Sequence, residues 1–156
     1  MPYLVRHAHA WVGPDLLRPL SELGSREAHG LLTQLRDYPI ARILSSPAVR
    51  CLQTVEPLAQ RRGLPIGPAD VLGVDADPAA LVALLLDPAV GEAVLCSHGE
   101  LIGAVLERLV GHDLDDEVEL AWPKGSTWVL DVDDGHLRRR HYLPPLRLHD
   151  TEAGYF

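Results

Sequence analysis

A chain of 156 residues with a formal net charge of −8 is long enough for one domain with its own core, and too acidic to owe its affinity to neutralising a nucleic-acid backbone. Hydrophobic residues make up 47% and charged residues 23%, with aromatics at 5%, so disorder is excluded and a core of mainly Leu, Val and Ala is expected. Cys51 and Cys96 lie far apart with no paired spacing, no basic leader precedes an apolar run, and no stretch approaches the roughly 18 apolar residues of a membrane span; these features fit a single cytoplasmic domain over residues 1–156.

In chain order, the apolar run Pro2-Tyr3-Leu4-Val5 predicts a strand near 2–6, closed by Arg6-His7-Ala8-His9. Ser21 stands as a capping residue before Ala28, Leu31, Leu32 and Leu35, predicting a helix from about Ser21 to Asp37. A strand is expected from Ala41 to Ser45. Pro47 is placed in the first turn of a second helix, with Val49, Leu52, Val55, Leu58 and Ala59 inward and Gly63 at its end. Leu64 to Leu72, broken by Pro65, Gly67 and Pro68, reads as a short extended piece with a turn. Asp77-Pro78 opens a helix over Ala79 to Leu86, and Asp87-Pro88 stops it. Glu92 to Ser97 is an apolar strand and Gly99 to Val110 a helix, with the switch at His98. The acidic run Asp113 to Glu119 has no calcium-loop spacing and reads as a solvated loop. Ser126 to Val132 and Leu137 to Leu143, joined at Asp133-Asp134-Gly135, read as a hairpin. The alternation predicts a three-layer α/β/α sandwich with a mainly parallel central sheet and a C-terminal β-hairpin.

Three strand-to-helix junctions carry basic groups: Arg6-His7, Arg50 within Ser45 to Arg50, and His98 within Ser97-His98-Gly99. Right-handed crossovers bring such junctions to one sheet edge, where two guanidinium forks and a helix N-terminus suit a phosphoryl group.

In these blocks the chain resembles the histidine phosphatase superfamily. Leu4-Val5-Arg6-His7-Ala8 is similar to its Arg-His-Gly signature with alanine in third place. Ser45 to Thr54 is similar to its second block, Cys96-Ser97-His98-Gly99 to its third, and Arg18-Pro19-Leu20-Ser21-Glu22-Leu23-Gly24 to a segment of its small members. The resemblance covers residues 3 to about 110. It implies that His7 is a nucleophile that becomes phosphorylated, that Arg6, Arg50 and His98 bind the phosphoryl group, and that no metal or other cofactor is needed. Neighbouring arginines are expected to depress the pKa of His7 and keep the attacking imidazole neutral.

The proton donor to the leaving group is sought in Gly73 to Pro78. Asp77 is taken by the helix cap, which leaves Asp75 as the candidate acid against a solvent-facing loop position. A His-X-His metal pair of His7 with His9 would need a larger barrel, so His9 is placed at the pocket rim. Arg18 is a candidate substrate contact, against a surface role. The asparagine of mutase-type members is missing, Gly13-Pro14-Asp15 stands there, and no insertion is long enough to form a lid. The chain thus resembles the compact phosphohistidine phosphatases of the SixA type. Residues 49–59 and 124–130 also resemble the phosphatase domain that follows a Nudix domain in actinobacterial nucleotide-sanitising proteins. There Lys124, Trp122 and Trp128 would frame a base, the alternative for a strand-start Trp being the core. The expected substrates are a phosphorylated protein carrying phosphohistidine, then a small phosphate ester or nucleotide, with no nucleic-acid or membrane partner. A catalytically silent phosphate-binding module is the alternative from another class, and the presence of both His7 and His98 argues against it.

Overall fold

The computed structural model describes residues 1–110 and 120–147. Six strands form one sheet in the order β3-β2-β4-β1-β5-β6: β1 (Tyr3–Arg6), β2 (Arg42–Ser45), β3 (Ile66–Pro68), β4 (Ala93–Ser97), β5 (Thr127–Asp133) and β6 (His136–Leu143). Strands β1 to β4 run parallel, and β5 and β6 add antiparallel to the β1 edge. The central strands β1 and β4 are buried on both faces, as their unbroken apolar runs require. Helices α1 (Glu22–Gln34) and α2 (Val49–Arg62) cover one face, where Leu31, Leu35, Val55 and Leu58 pack on Tyr3, Val5, Val94 and Cys96. Helices α3 (Pro78–Leu86) and α4 (Gly99–Val110) cover the other, where Leu81, Leu85, Ile102 and Leu106 pack on Leu4 and Leu95. The expected three layers are therefore present.

Local chemistry explains most boundaries. Ser21 Oγ accepts from the Gly24 amide at 3.1 Å and caps α1. Gly63 ends α2 in the left-handed region at φ +64°. Asp77 caps α3 with Pro78 at its first position. The β5–β6 turn is Asp134-Gly135 with positive φ at both residues, the conformation an Asp-Gly hairpin demands.

Three expectations shift. Helix α1 stops at Gln34 rather than Asp37, because Leu35 turns inward as its cap and is fully buried. Pro47 lies before the cap of α2, Ala48, rather than within its first turn. The 64–72 piece contains only a three-residue strand, followed by a 3-10 turn over Asp70–Leu72 that buries Leu72. The acidic run 113–119 lies outside the described residues. No described helix is long and apolar enough to cross a membrane.

Candidate active site

The register aligns Arg6 at the end of β1 with Ser97 at the end of β4, so the next residues, His7 and His98, leave the same sheet edge side by side. Their ring centroids lie 5.5 Å apart. Strand β2 ends on the same edge and feeds through Ser46 into α2, whose first turn carries Arg50. The crevice lies where the chain leaves β1 for a strand beyond β4, a place where open parallel sheets bind ligands.

His7 is 5% exposed and forms the floor. Its Nδ1–H donates to the Ala8 carbonyl at 2.8 Å, since a carbonyl can only accept, and Nε2 keeps the lone pair. Burial chiefly drives the imidazole pKa down to about 3, with the charges of Arg50, His98 and Arg6 lowering it further against the Ala8 hydrogen bond, which raises it. The arginines act in the expected direction, but desolvation is the larger cause. At neutral pH the ring is uncharged.

Arg50, buried on α2, reaches three partners. Its Nε donates to His7 Nε2 at 3.4 Å and its Nη2 to His98 Nδ1 at 3.0 Å. Its Nη1 donates to the Asp15 carbonyl, and Nη2 also reaches Asp15 Oδ1 at 3.1 Å. Because Arg50 can only donate, Nδ1 of His98 accepts, and its Nε2–H donates to Ser46 Oγ at 2.8 Å. Ser46 Oγ accepts in addition from the Ala48 amide at 3.2 Å. Thr54 Oγ1 accepts from the Ala8 amide at 2.9 Å and donates to the Arg50 carbonyl at 2.7 Å, tying the segment after His7 to α2. Arg6 Nη1 donates to the Trp122 carbonyl at 3.0 Å, while its buried Nε has no partner among the described residues. Gly99 accommodates this guanidinium, for a Cβ there would lie 2.7 Å from its central carbon.

These groups surround a cavity of about 410 Å³ lined by Arg6, His7, Arg50 and His98 together with Arg18, Asp15, Glu100 and Trp122. Arg18 joins the set, and its buried Nε is also unpartnered among the described residues. Val74 lines the cavity, whereas the next-door Asp75 is exposed and stands outside the lining. Lys124 is exposed and likewise outside it. His9 turns to Ser21, its Nδ1 lying 2.6 Å from Ser21 Oγ. Trp128 is core, with its indole N–H donating to the Ala121 carbonyl at 2.8 Å, so of the two tryptophans only Trp122 borders the cavity. Sequence reading missed Asp15, Ser46 and Thr54. Only Thr54 carried a signal, its four-residue spacing from Arg50 on one helix.

The Arg18-to-Gly24 segment has a structural explanation. The Ser21 amide donates to the His9 carbonyl at 3.0 Å and the Trp11 amide to the Pro19 carbonyl at 3.0 Å, so residues 9–11 and 19–21 pair as the neck of a loop. Gly24 fits this neck closely: a Cβ would lie 1.9 Å from the His9 carbonyl oxygen. The loop tip carries Asp15 and Arg18 to the cavity.

Fold and site together present a cavity of basic side chains at the sheet edge that suits a phosphoryl group. Residues 3–72 match the histidine phosphatase superfamily, branch 1. A structure from Agrobacterium tumefaciens, a SixA whose own assignment as a phosphohistidine phosphatase is an inference, is 32% identical, covers 92% of this chain and 97% of its own, and superposes with a TM-score of 0.75. The protein histidine phosphatase SixA complexed with tungstate shares the fold at a TM-score of 0.70 and 23% identity, over 89% of this chain and 94% of that one. The 8-oxo-(d)GTP phosphatase of Mycolicibacterium smegmatis is 31% identical over 152 residues, 91% of this chain but 47% of that protein, so this chain spans about half its length. The chain belongs to the histidine phosphatase superfamily.

Proposed function

We propose that the protein hydrolyses phosphorylated substrates through a phosphohistidine on His7, without a metal ion, and that protein phosphohistidine is its first substrate class. The observation that carries the mechanism is the neutral Nε2 of His7 on the cavity floor beside Arg50 and His98. Nε2 attacks phosphorus and the bond from phosphorus to the leaving nitrogen or oxygen breaks. Water then attacks the phosphorus, the Nε2–P bond breaks, and inorganic phosphate leaves. Arg6, Arg50 and Arg18 hold the phosphoryl oxygens and offset their negative charge through both transition states, with His98 beside them at the phosphoryl group.

Support for phosphohistidine comes from the acid side of the reaction. The carboxylates lining the cavity are Asp15, which is paired with Arg50, and Glu100 on an exposed position; Asp75 remains the acid candidate only through movement of its loop. An imidazole leaving group asks less of an enzyme acid than an alkoxide does, which suits such a site. The Mycolicibacterium relative and the placement of Trp122 on the cavity wall favour a nucleotide as the second reading, with neither Lys124 nor His9 in reach of the lining. The test is phosphate release in EDTA by wild type and His7→Ala from a phosphohistidine peptide, a nucleoside diphosphate, a nucleoside triphosphate and an activated aryl phosphate. Turnover by wild type alone, fastest on the peptide, is expected. Turnover that needs added metal, or that survives His7→Ala, overturns the mechanism, and preference for a nucleotide replaces the substrate class.

A further inference from the structure

Arg50 offers five N–H donors. One goes to His7 Nε2, one to His98 Nδ1, and two go to Asp15, through its carbonyl and through Oδ1 at 3.1 Å. Among the described residues Nη1 faces Asp15 alone, whereas Nη2 divides its two N–H groups between Asp15 and His98. Asp15 contributes what a phosphoryl group would contribute, an anionic oxygen and a second acceptor aimed at a planar fork.

The pairing is lopsided. Arg50 has a side chain only 3% exposed and is held on a helix, whereas the Asp15 side chain is 57% exposed at the tip of a loop. That loop is fixed at its neck by the His9–Ser21 and Trp11–Pro19 bonds, and by the Leu20 amide donating to Gln53 Oε1 at 2.8 Å. Its tip, with the exposed Val12, Leu16 and Leu17, packs into no buried cluster. A tip tethered at the neck and latched by Asp15, through its carboxylate and its carbonyl, can leave Arg50 while the neck stays paired.

We propose that Asp15 is a built-in competitor for Arg50: its carboxylate and carbonyl hold the fork that the phosphoryl oxygens need, so anion binding exchanges Asp15 for phosphate and releases the tip of the 12–18 loop. The inference rests on the phosphoryl-binding role assigned to Arg50 above. The exchange weakens the grip on every small oxyanion, the product phosphate included, and so favours product release.

The test compares wild type with Asp15→Asn and Asp15→Ala, measuring competitive inhibition by inorganic phosphate together with KM and kcat for an aryl phosphate. Both variants are expected to bind phosphate more tightly, by about three- to tenfold, the range for one partly exposed ion pair, with KM falling by a similar factor. A second readout uses Trp11, in the same loop: phosphate is expected to change tryptophan emission saturably in wild type, and the change is expected to disappear in Trp11→Phe. Unchanged or weaker phosphate inhibition in both Asp15 variants overturns the proposal, weaker inhibition meaning that Asp15 positions Arg50 for the anion instead. Turnover that survives His7→Ala is a different failure, that of the phosphohistidine mechanism itself.

Discussion

The floor of the cavity and its rim loop are built on opposite terms. On the floor, His7, Arg50 and His98 are buried, come from the ends of strands or the first turn of a helix, and are each fixed by at least two hydrogen bonds or by burial against the sheet. On the rim, residues 12–18 are mostly exposed, and the link from the tip to the floor is Asp15 on Arg50. A transition state that lasts a bond vibration is stabilised only by groups already in place, whereas a substrate must enter and phosphate must leave. Rigid chemistry and movable access are thus divided between the sheet edge and one loop.

Substitutions on the floor should therefore cost rate, and those on the rim should change affinity. The largest effect is expected from His7→Ala, which removes the group proposed to form the covalent intermediate. Its kcat should fall by about four orders of magnitude or more, measured by phosphate release with an intact far-UV spectrum. Arg50→Lys keeps the charge but not the fork; kcat/KM is expected to fall by about 10² to 10³, with more of the loss in kcat than in KM. Ser46→Ala leaves the Nε2–H of His98 buried without its acceptor, and a five- to tenfold loss of kcat/KM, about 1 kcal/mol, is expected in steady-state assays. If Ser46→Ala matches Arg50→Lys in size, His98 depends on its orientation more than on the arginine beside it.

The smallest expected effect is one of pH. A pKa lowered from 6.5 to about 3 means that the neutral, attacking form of His7 persists as the solution is acidified. An imidazole of ordinary pKa would lose about tenfold of its neutral form by about pH 5.5, and kcat/KM should show no such loss from His7 there. An acid limb centred near 6.5 that disappears in a His7 variant with residual activity would show that His7 is more hydrated than its burial implies.

What could be read from sequence divides along the same line as the site. Arg6, His7, Arg50 and His98 were visible because each sits at a strand-to-helix switch, and parallel crossovers leave those switches on one edge. Helix caps at Ser21 and Asp77 and the Asp-Gly hairpin were visible because the local backbone needs those residue types. The end of α1 was not, since Leu35 continues the apolar period and only packing shows that it turns inward as a cap. Nor was Asp15, an acidic residue in a Gly-Pro-Asp turn that resembles any solvated loop until α2 brings Arg50 against it. His9 illustrates the converse: a suggestive His-X-His spacing forms no pair here, because both residues lie beyond the end of β1 at Arg6, and His9 Nδ1 meets Ser21 Oγ while His7 lines the cavity.

The account turns on a covalent bond to one nitrogen, so its most direct test is rapid acid-free quenching of wild-type enzyme during turnover of a labelled phosphoryl donor in EDTA, followed by peptide mapping. The account predicts label that is stable to alkali and labile to acid, carried by the peptide containing His7, approaching one per active chain and lost in His7→Ala. Full turnover with no labelled His7, or label on another residue, would contradict it.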